Sequence, residues 1–139
     1  MTSRVRTSVI VVHNDQLLTF LAVDPISGKE FYFLPGGEIE EDETAPEAAE
    51  REALEETGYQ IAVEATCNTD REYNFFWNGE TYACLTIFYR AKLKSPLARK
   101  VQDAAYNKGV HWLPVGKIDE TFAYSEAILS AIKELLERR

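Results

Sequence analysis

Apolar and polar positions alternate with two different periods along this chain. Val5 to Val12 and Leu17 to Val23 are β-branched and apolar runs separated by His13-Asn14-Asp15-Gln16, and together they predict an antiparallel hairpin. A turn at Asp24-Pro25-Ile26-Ser27-Gly28 leads into a short strand over Phe31-Tyr32-Phe33-Leu34, which should break at Pro35-Gly36-Gly37, a sequence expected to leave the ladder and to favour positive φ. From Thr44 to Gly58 the period becomes helical: Thr44 and Glu47 form a capping box, Pro46 fits the first turn, and Gly58 suits a left-handed stop. Two longer strands follow, Tyr59 to about Phe76 and Thr81 to Lys92, around a turn at Asn78-Gly79. Val110 to Leu113 reads as a last short strand ended by Pro114. Ser125 can cap a final helix whose Ile128, Leu129, Ile132, Leu135 and Leu136 share one face.

Strands, helix, strands, helix, without a repeat period or a Rossmann glycine fingerprint, predict an α/β/α sandwich around a mixed β-sheet. The length of 139 residues leaves room for one domain, residues 1–139, and 45% hydrophobic content is enough for its core. Cys67 and Cys84 lack metal-ligand spacing, so reduced thiols in a cytoplasmic protein are expected. Val9 to Val12 is too short for a signal segment, and nothing else approaches a membrane span. A formal charge of −8 argues against a nucleic-acid polymer as partner, because gripping a duplex requires a basic face. A small phosphorylated molecule stays compatible, provided divalent cations meet its charge.

The first helix carries the candidate chemistry. On a helical wheel Ala45, Ala48, Ala49 and Ala53 share the arc that packs closely, and Glu52, Glu55 and Glu56 lie within or beside it, whereas Glu47 and Glu50 lie opposite. At about 6 Å and an effective dielectric near 20, two carboxylates repel by roughly 3 kcal/mol, enough to raise a pKa by about two units or to demand a counter-cation. Glu55 and Glu56 also sit in the last turn, where the helix dipole favours bases. Arg51 can reach Glu55 or Glu43, but one guanidinium cannot neutralise the cluster. A hard divalent cation such as magnesium would; a solvated acidic face is the alternative.

Gly37, five residues, Glu43, seven residues, then Arg51-Glu52-Ala53-Leu54-Glu55-Glu56-Thr57-Gly58-Tyr59 resembles the signature box of the Nudix hydrolases. Every charged and glycine position of that pattern is filled. Ala53 and Tyr59 stand where aliphatic residues are common, and neither substitution removes a ligand. The resemblance implies the Nudix fold, with magnesium or manganese as cofactor and hydrolysis of a nucleoside diphosphate linked to another group. Carried over by position, Glu52, Glu55 and Glu56 would be the metal carboxylates and catalytic set, with Glu52 the residue to orient or deprotonate the attacking water. The Gly37 carbonyl would add an oxygen, and Arg51 with Glu43 would tie loop to helix. The family's frequent later glutamate has one acidic counterpart between Glu80 and Asp119, namely Asp103. Either Asp103 supplies that oxygen or the site lacks it.

The substrate side is less defined. Aromatics at Phe31, Tyr32, Phe33, Tyr73, Phe75, Phe76, Trp77, Tyr82 and Tyr124 include candidates for stacking on a base, each of which could equally serve the core. Arg4 and Arg6 alternate on the first strand and are candidate phosphate contacts, or an ordinary polar strand face. Arg90, Lys92 and Lys94 fit edge protection as well as anion binding, and His13 and His111 read as structural. The expected substrate is a small nucleotide: a (deoxy)nucleoside triphosphate, toward which the short chain leans, or a nucleotide sugar or dinucleotide such as ADP-ribose. The alternatives are a catalytically inactive Nudix-fold binding or regulatory module, and an interaction protein with an acidic face. A homodimer is compatible with the family, with no interface legible in the sequence.

Overall fold

A computed structural model describes residues 1–138. Strands β1 (Thr2–His13) and β2 (Gln16–Val23) form the first hairpin. Asn14 and Asp15 join them at φ of 52° and 60°, the turn whose twist matches that of paired strands. The later hairpin of β5 (Ile61–Trp77) and β6 (Glu80–Leu93) uses the same device at Asn78 and Gly79, with φ of 53° and 78°.

The strand ahead of Pro35-Gly36-Gly37 ends as expected, but the two glycines then enter a second ladder. After β3 (Glu30–Phe33), Gly36 to Glu38 form a three-residue strand, β4, antiparallel to β1 with Gly36 opposite Ser8 and Gly37 opposite Thr7. Neither glycine has positive φ. Space, not backbone conformation, requires them. A Cβ on Gly36 would lie 2.2 Å from the Thr7 carbonyl oxygen, and one on Gly37 would lie 2.5 Å from the Glu52 carboxylate.

Helix α1 (Ala45–Thr57) starts at the expected capping box, with Glu47 N donating to Thr44 Oγ1 and Thr44 N to Glu47 Oε1. It ends at Gly58, φ 79°, whose N–H donates to Leu54 O at 2.9 Å. Here positive φ does select glycine. Strand β7 (Asn107–Pro114) begins three residues earlier than the apolar pattern suggests. A 3₁₀ turn, Val115–Lys117, and one-turn helix α2 (Ile118–Thr121) follow; both are too short to show a period. Ser125 caps α3 (Glu126–Glu137).

The strands form a mixed sheet in the order β3-β2-β1-β6-β5, with β4 on β1 and β7 on β2. β1 runs parallel to β6, and the other pairings among the described residues are antiparallel. Side chains alternate through this sheet into two apolar clusters. Ile10, Leu17 and Phe88 meet Ile132 and Leu135 of α3 on one face. Val9, Val11, Leu18 and Tyr89 meet Ala49 and Ala53 of α1 on the other. The layers are therefore helix, sheet, helix, as the pattern predicts, and the α1 alanines bring that helix close enough for its glutamates to reach β4.

Candidate active site

The three helix glutamates are not equivalent. Glu56, which with Asp24 makes up the buried acids among the described residues, is 5% exposed and accepts a 2.8 Å hydrogen bond from Gly36 N. Burial pushes its carboxyl well above the ordinary value and the neighbouring Glu52 adds to the rise; the Gly36 N–H and Arg6 oppose it. Glu52, its side chain 16% exposed, packs against Gly37 and is also raised, first by burial, with Arg51 pulling down and Glu55 pushing up. Glu55 departs from the expectation of an inward cluster. Its side chain is 51% exposed and turns toward Arg51 one helical turn earlier, because it lies at the margin of the alanine arc. Glu50 departs too: it accepts from Val63 N at 3.1 Å and fastens the start of β5 to the helix.

Arg51 ties the acidic loop to α1 as expected. Its Nε and Nη2 grip Glu43 at 2.8 and 2.9 Å, a planar fork on a carboxylate, and Nη2 also reaches the Glu38 carbonyl at 3.2 Å. Those hydrogen bonds, with the Glu40 N–H, hold Glu43 down at about 2. Nη1 meanwhile lies between Glu52, at 3.0 Å, and Glu55, at 3.2 Å.

Glu52 and Glu56 open onto a cavity of about 380 Å³ that Gly37, Arg4 and Arg6 also line. The Arg4 guanidinium lies 4.0 Å above the Tyr82 ring, with Nε 2.9 Å from Glu38. Much of the remaining wall is aromatic, with Phe33, Phe75, Trp77, Tyr106 and Tyr124 among its rings. Trp77 is nearly parallel to Phe75 and meets Tyr106 edge-on, with ring centres 5.4 Å apart. Of the aromatic candidates, Phe76 instead points to solvent, and Tyr32 packs on His111. His13 lies by Trp112, and Arg90 donates to the Leu135 carbonyl of α3, so these are structural positions.

Asp103 is exposed in the loop before β7 and accepts from Asn107 Nδ2 at 2.9 Å; its charge contributes to the rise at Glu56. Asn107 Nδ2 also donates to the Glu56 carbonyl at 3.0 Å, pinning this loop to the end of α1. Arg99 N does the same to the Gly58 carbonyl at 2.7 Å. The pins at Asn107 and the cavity contact of Tyr106 are absent from the sequence reading. An aromatic three residues beyond Asp103 is the signal the sequence offers for Tyr106.

The NUDIX domain profile matches residues 2–132. The chain is a member of the NUDIX domain family. No curated protein matches its sequence. Among solved structures similar to this NUDIX protein is a NUDIX hydrolase from Nitrosomonas europaea, with TM-score 0.71 and 20% identity, over 96% of this chain and 88% of that one. A C. elegans Ap4A hydrolase gives 0.70 and 17%, over 98% and 96%. An ADP-ribose pyrophosphatase from Streptococcus suis gives 0.61 and 14%, over 96% and 90%. At these identities the likeness concerns the fold, and it covers almost the whole chain.

The donor set of this NUDIX site suits a hard divalent cation. Glu52 and Glu56 offer carboxylate oxygens, and burial raises both carboxyls more than Arg51, Arg6 and the Gly36 N–H lower them, so a cation there would favour their ionised forms. Among the described residues no three acidic, histidine or cysteine side chains are gathered at metal-holding distances. Arg51 Nη1 is the positive group now between Glu52 and Glu55. No helix among the described residues is long and apolar enough to cross a membrane.

Proposed function

We propose that this NUDIX protein is a divalent-metal-dependent hydrolase that cleaves a phosphoanhydride bond in a small nucleotide, acting in the cytoplasm as one unit over residues 1–139. The observation that carries the reading is one cavity with both halves of a nucleotide's complement: Glu52, Glu56, Arg4 and Arg6 beside a wall of aromatic rings. Free Cys67 and Cys84 agree with a reducing compartment. Two structural neighbours are an Ap4A hydrolase and an ADP-ribose pyrophosphatase, and a nucleotide is what their names share.

Glu52, Glu56 and Glu55 would hold magnesium or manganese, with the Gly37 carbonyl and Asp103 as further oxygen donors. Bound there, the ion would supply Lewis-acid stabilisation of charge on the phosphoryl oxygens and activation of water. Glu52 accepts the proton of the attacking water, and burial, which raises its carboxyl above the ordinary value, makes it a stronger proton acceptor. Arg4 and Arg6 bind phosphate oxygens, and the rings stack on the base. Arg51 and Glu43 keep the acidic loop and helix in register. The candidate substrates are (deoxy)nucleoside triphosphates, nucleotide sugars and dinucleotides.

The test is hydrolysis of a nucleotide panel with magnesium by the parent and by Glu52→Gln. The parent should release phosphate or pyrophosphate from at least one member, and the variant should lose orders of magnitude in kcat with its melting temperature kept. A panel left intact by the parent would point to a binding module; undiminished turnover by the variant would remove Glu52 from the chemistry.

A further inference from the structure

Tyr106 stands where the aromatic wall meets the acids. Its ring lines the cavity and packs edge-on against Trp77, 5.4 Å between centres. Burial first, and then the charges of Glu56, Asp103 and Glu52, push its phenol up to about 12. Other phenols of the cavity are already engaged. Tyr124 Oη donates to the Tyr32 carbonyl at 2.9 Å, and Tyr73 Oη pairs with Thr86 Oγ1 at 2.8 Å. No such partner meets the Tyr106 hydroxyl among the described residues.

The backbone here is fixed from two sides. Val23 N donates to the Tyr106 carbonyl at 3.0 Å, and the next residue, Asn107, is tied to the end of α1 through the Glu56 carbonyl. The ring is therefore held at a set position relative to both β2 and the glutamates. A residue needed only for packing in a cavity wall would be served equally by phenylalanine, without adding an unengaged hydroxyl to a cavity that Glu52 and Glu56 also line.

We propose that Tyr106 is a substrate-binding residue that acts on both halves of the nucleotide, its ring flanking the base and its hydroxyl donating a hydrogen bond to an oxygen of the phosphate chain. This rests on the hydrolase reading above. A donor is the useful group at that point, because an ionised phosphate oxygen carries no proton to share and can only accept. The hydroxyl also contributes no charge, so it can lie beside Glu52 and Glu56 without competing for a cation. The remainder of the ring wall offers stacking faces, which accept any base, so Tyr106 reports the presence of a phosphate chain and not the identity of the base.

The experiment measures calorimetric binding of adenosine, guanosine and uridine, and of their non-hydrolysable imido-triphosphates with magnesium, to the parent, Tyr106→Phe and Tyr106→Leu. Tyr106→Phe should weaken the triphosphate analogues roughly tenfold, the worth of a hydrogen bond to a charged group, and leave the nucleosides unchanged. Tyr106→Leu should weaken both classes, adding the loss of a stacking face. Parental binding of the analogues by Tyr106→Phe overturns the hydroxyl's role, and equal weakening of nucleosides and triphosphates shows it reading the base instead. A parent that binds the analogues while both variants match it sinks this inference alone. A parent that binds none of the ligands sinks the nucleotide reading with it.

Discussion

Gly36 and Gly37 are adjacent on β4, and replacing each by alanine should produce opposite phenotypes. Neither has positive φ, so alanine fits both backbones and the outcome depends on what the new methyl meets. At Gly36 it meets the Thr7 carbonyl oxygen at 2.2 Å, a backbone atom held in the centre of the sheet. That clash can be relieved only by parting β4 from β1, an overpacking cost of about 3 kcal/mol and a melting temperature lower by roughly 10 °C. At Gly37 the methyl meets the Glu52 carboxylate at 2.5 Å, the far end of a flexible side chain. Restoring ordinary contact moves the carboxylate about 1 Å, at little cost to stability. Catalytic groups tolerate such displacement poorly, and a loss on the order of a hundredfold in kcat follows. Thermal melts beside nucleotide hydrolysis separate the two effects: Gly37→Ala should melt within a few degrees of the parent while losing turnover, and Gly36→Ala should melt early. Full activity in Gly37→Ala would refute the placement of Glu52 at the reacting centre, and an unshifted melt in Gly36→Ala would refute the β4 packing.

Glu56→Gln should stabilise the metal-free protein while abolishing activity. A folded carboxyl raised above its ordinary value of 4.5 keeps a proton that the unfolded chain has lost, so stability falls as pH rises through that interval. Glutamine removes the fall, and melts should show a gain that is absent below pH 4.5 and grows above it. Glu43 has the reverse sign. Held down at about 2 by Arg51, it contributes stability that is present above 4.5 and lost as pH falls toward 2, so Glu43→Gln should flatten acid unfolding in that window. Arg6 lowers both Glu52 and Glu56, so Arg6→Gln should move the acidic limb of the rate profile to higher pH and raise KM several-fold, read from initial rates across pH.

Period and punctuation made most of the fold legible. Alternating apolar residues marked both faces of the sheet, and Thr44, Glu47 and Gly58 bounded α1 to within a residue. The break at Pro35 is real, and the new pairing just beyond it has a physical cause: at Gly36 and Gly37 glycine serves by having no side chain and not by its backbone freedom, a property visible only once the opposing strand and helix are in place. The wheel likewise grouped Glu52, Glu55 and Glu56 as one set. Burial divides them, because Arg51 draws Glu55 outward and β4 closes over Glu56. Residues whose role depends on loop path, such as Asn107 pinning α1 and Tyr106 entering the cavity, carry no periodic signal at all.

The most direct test of the central claim is the anomalous map of a crystal soaked in manganese with a non-hydrolysable nucleotide triphosphate. A peak within coordination distance of Glu52 and Glu56, with the Arg51 guanidinium withdrawn from Glu52, is the expected result. Arg51 still bridging Glu52 and Glu55, and no peak at the acidic end of the cavity, would contradict the account.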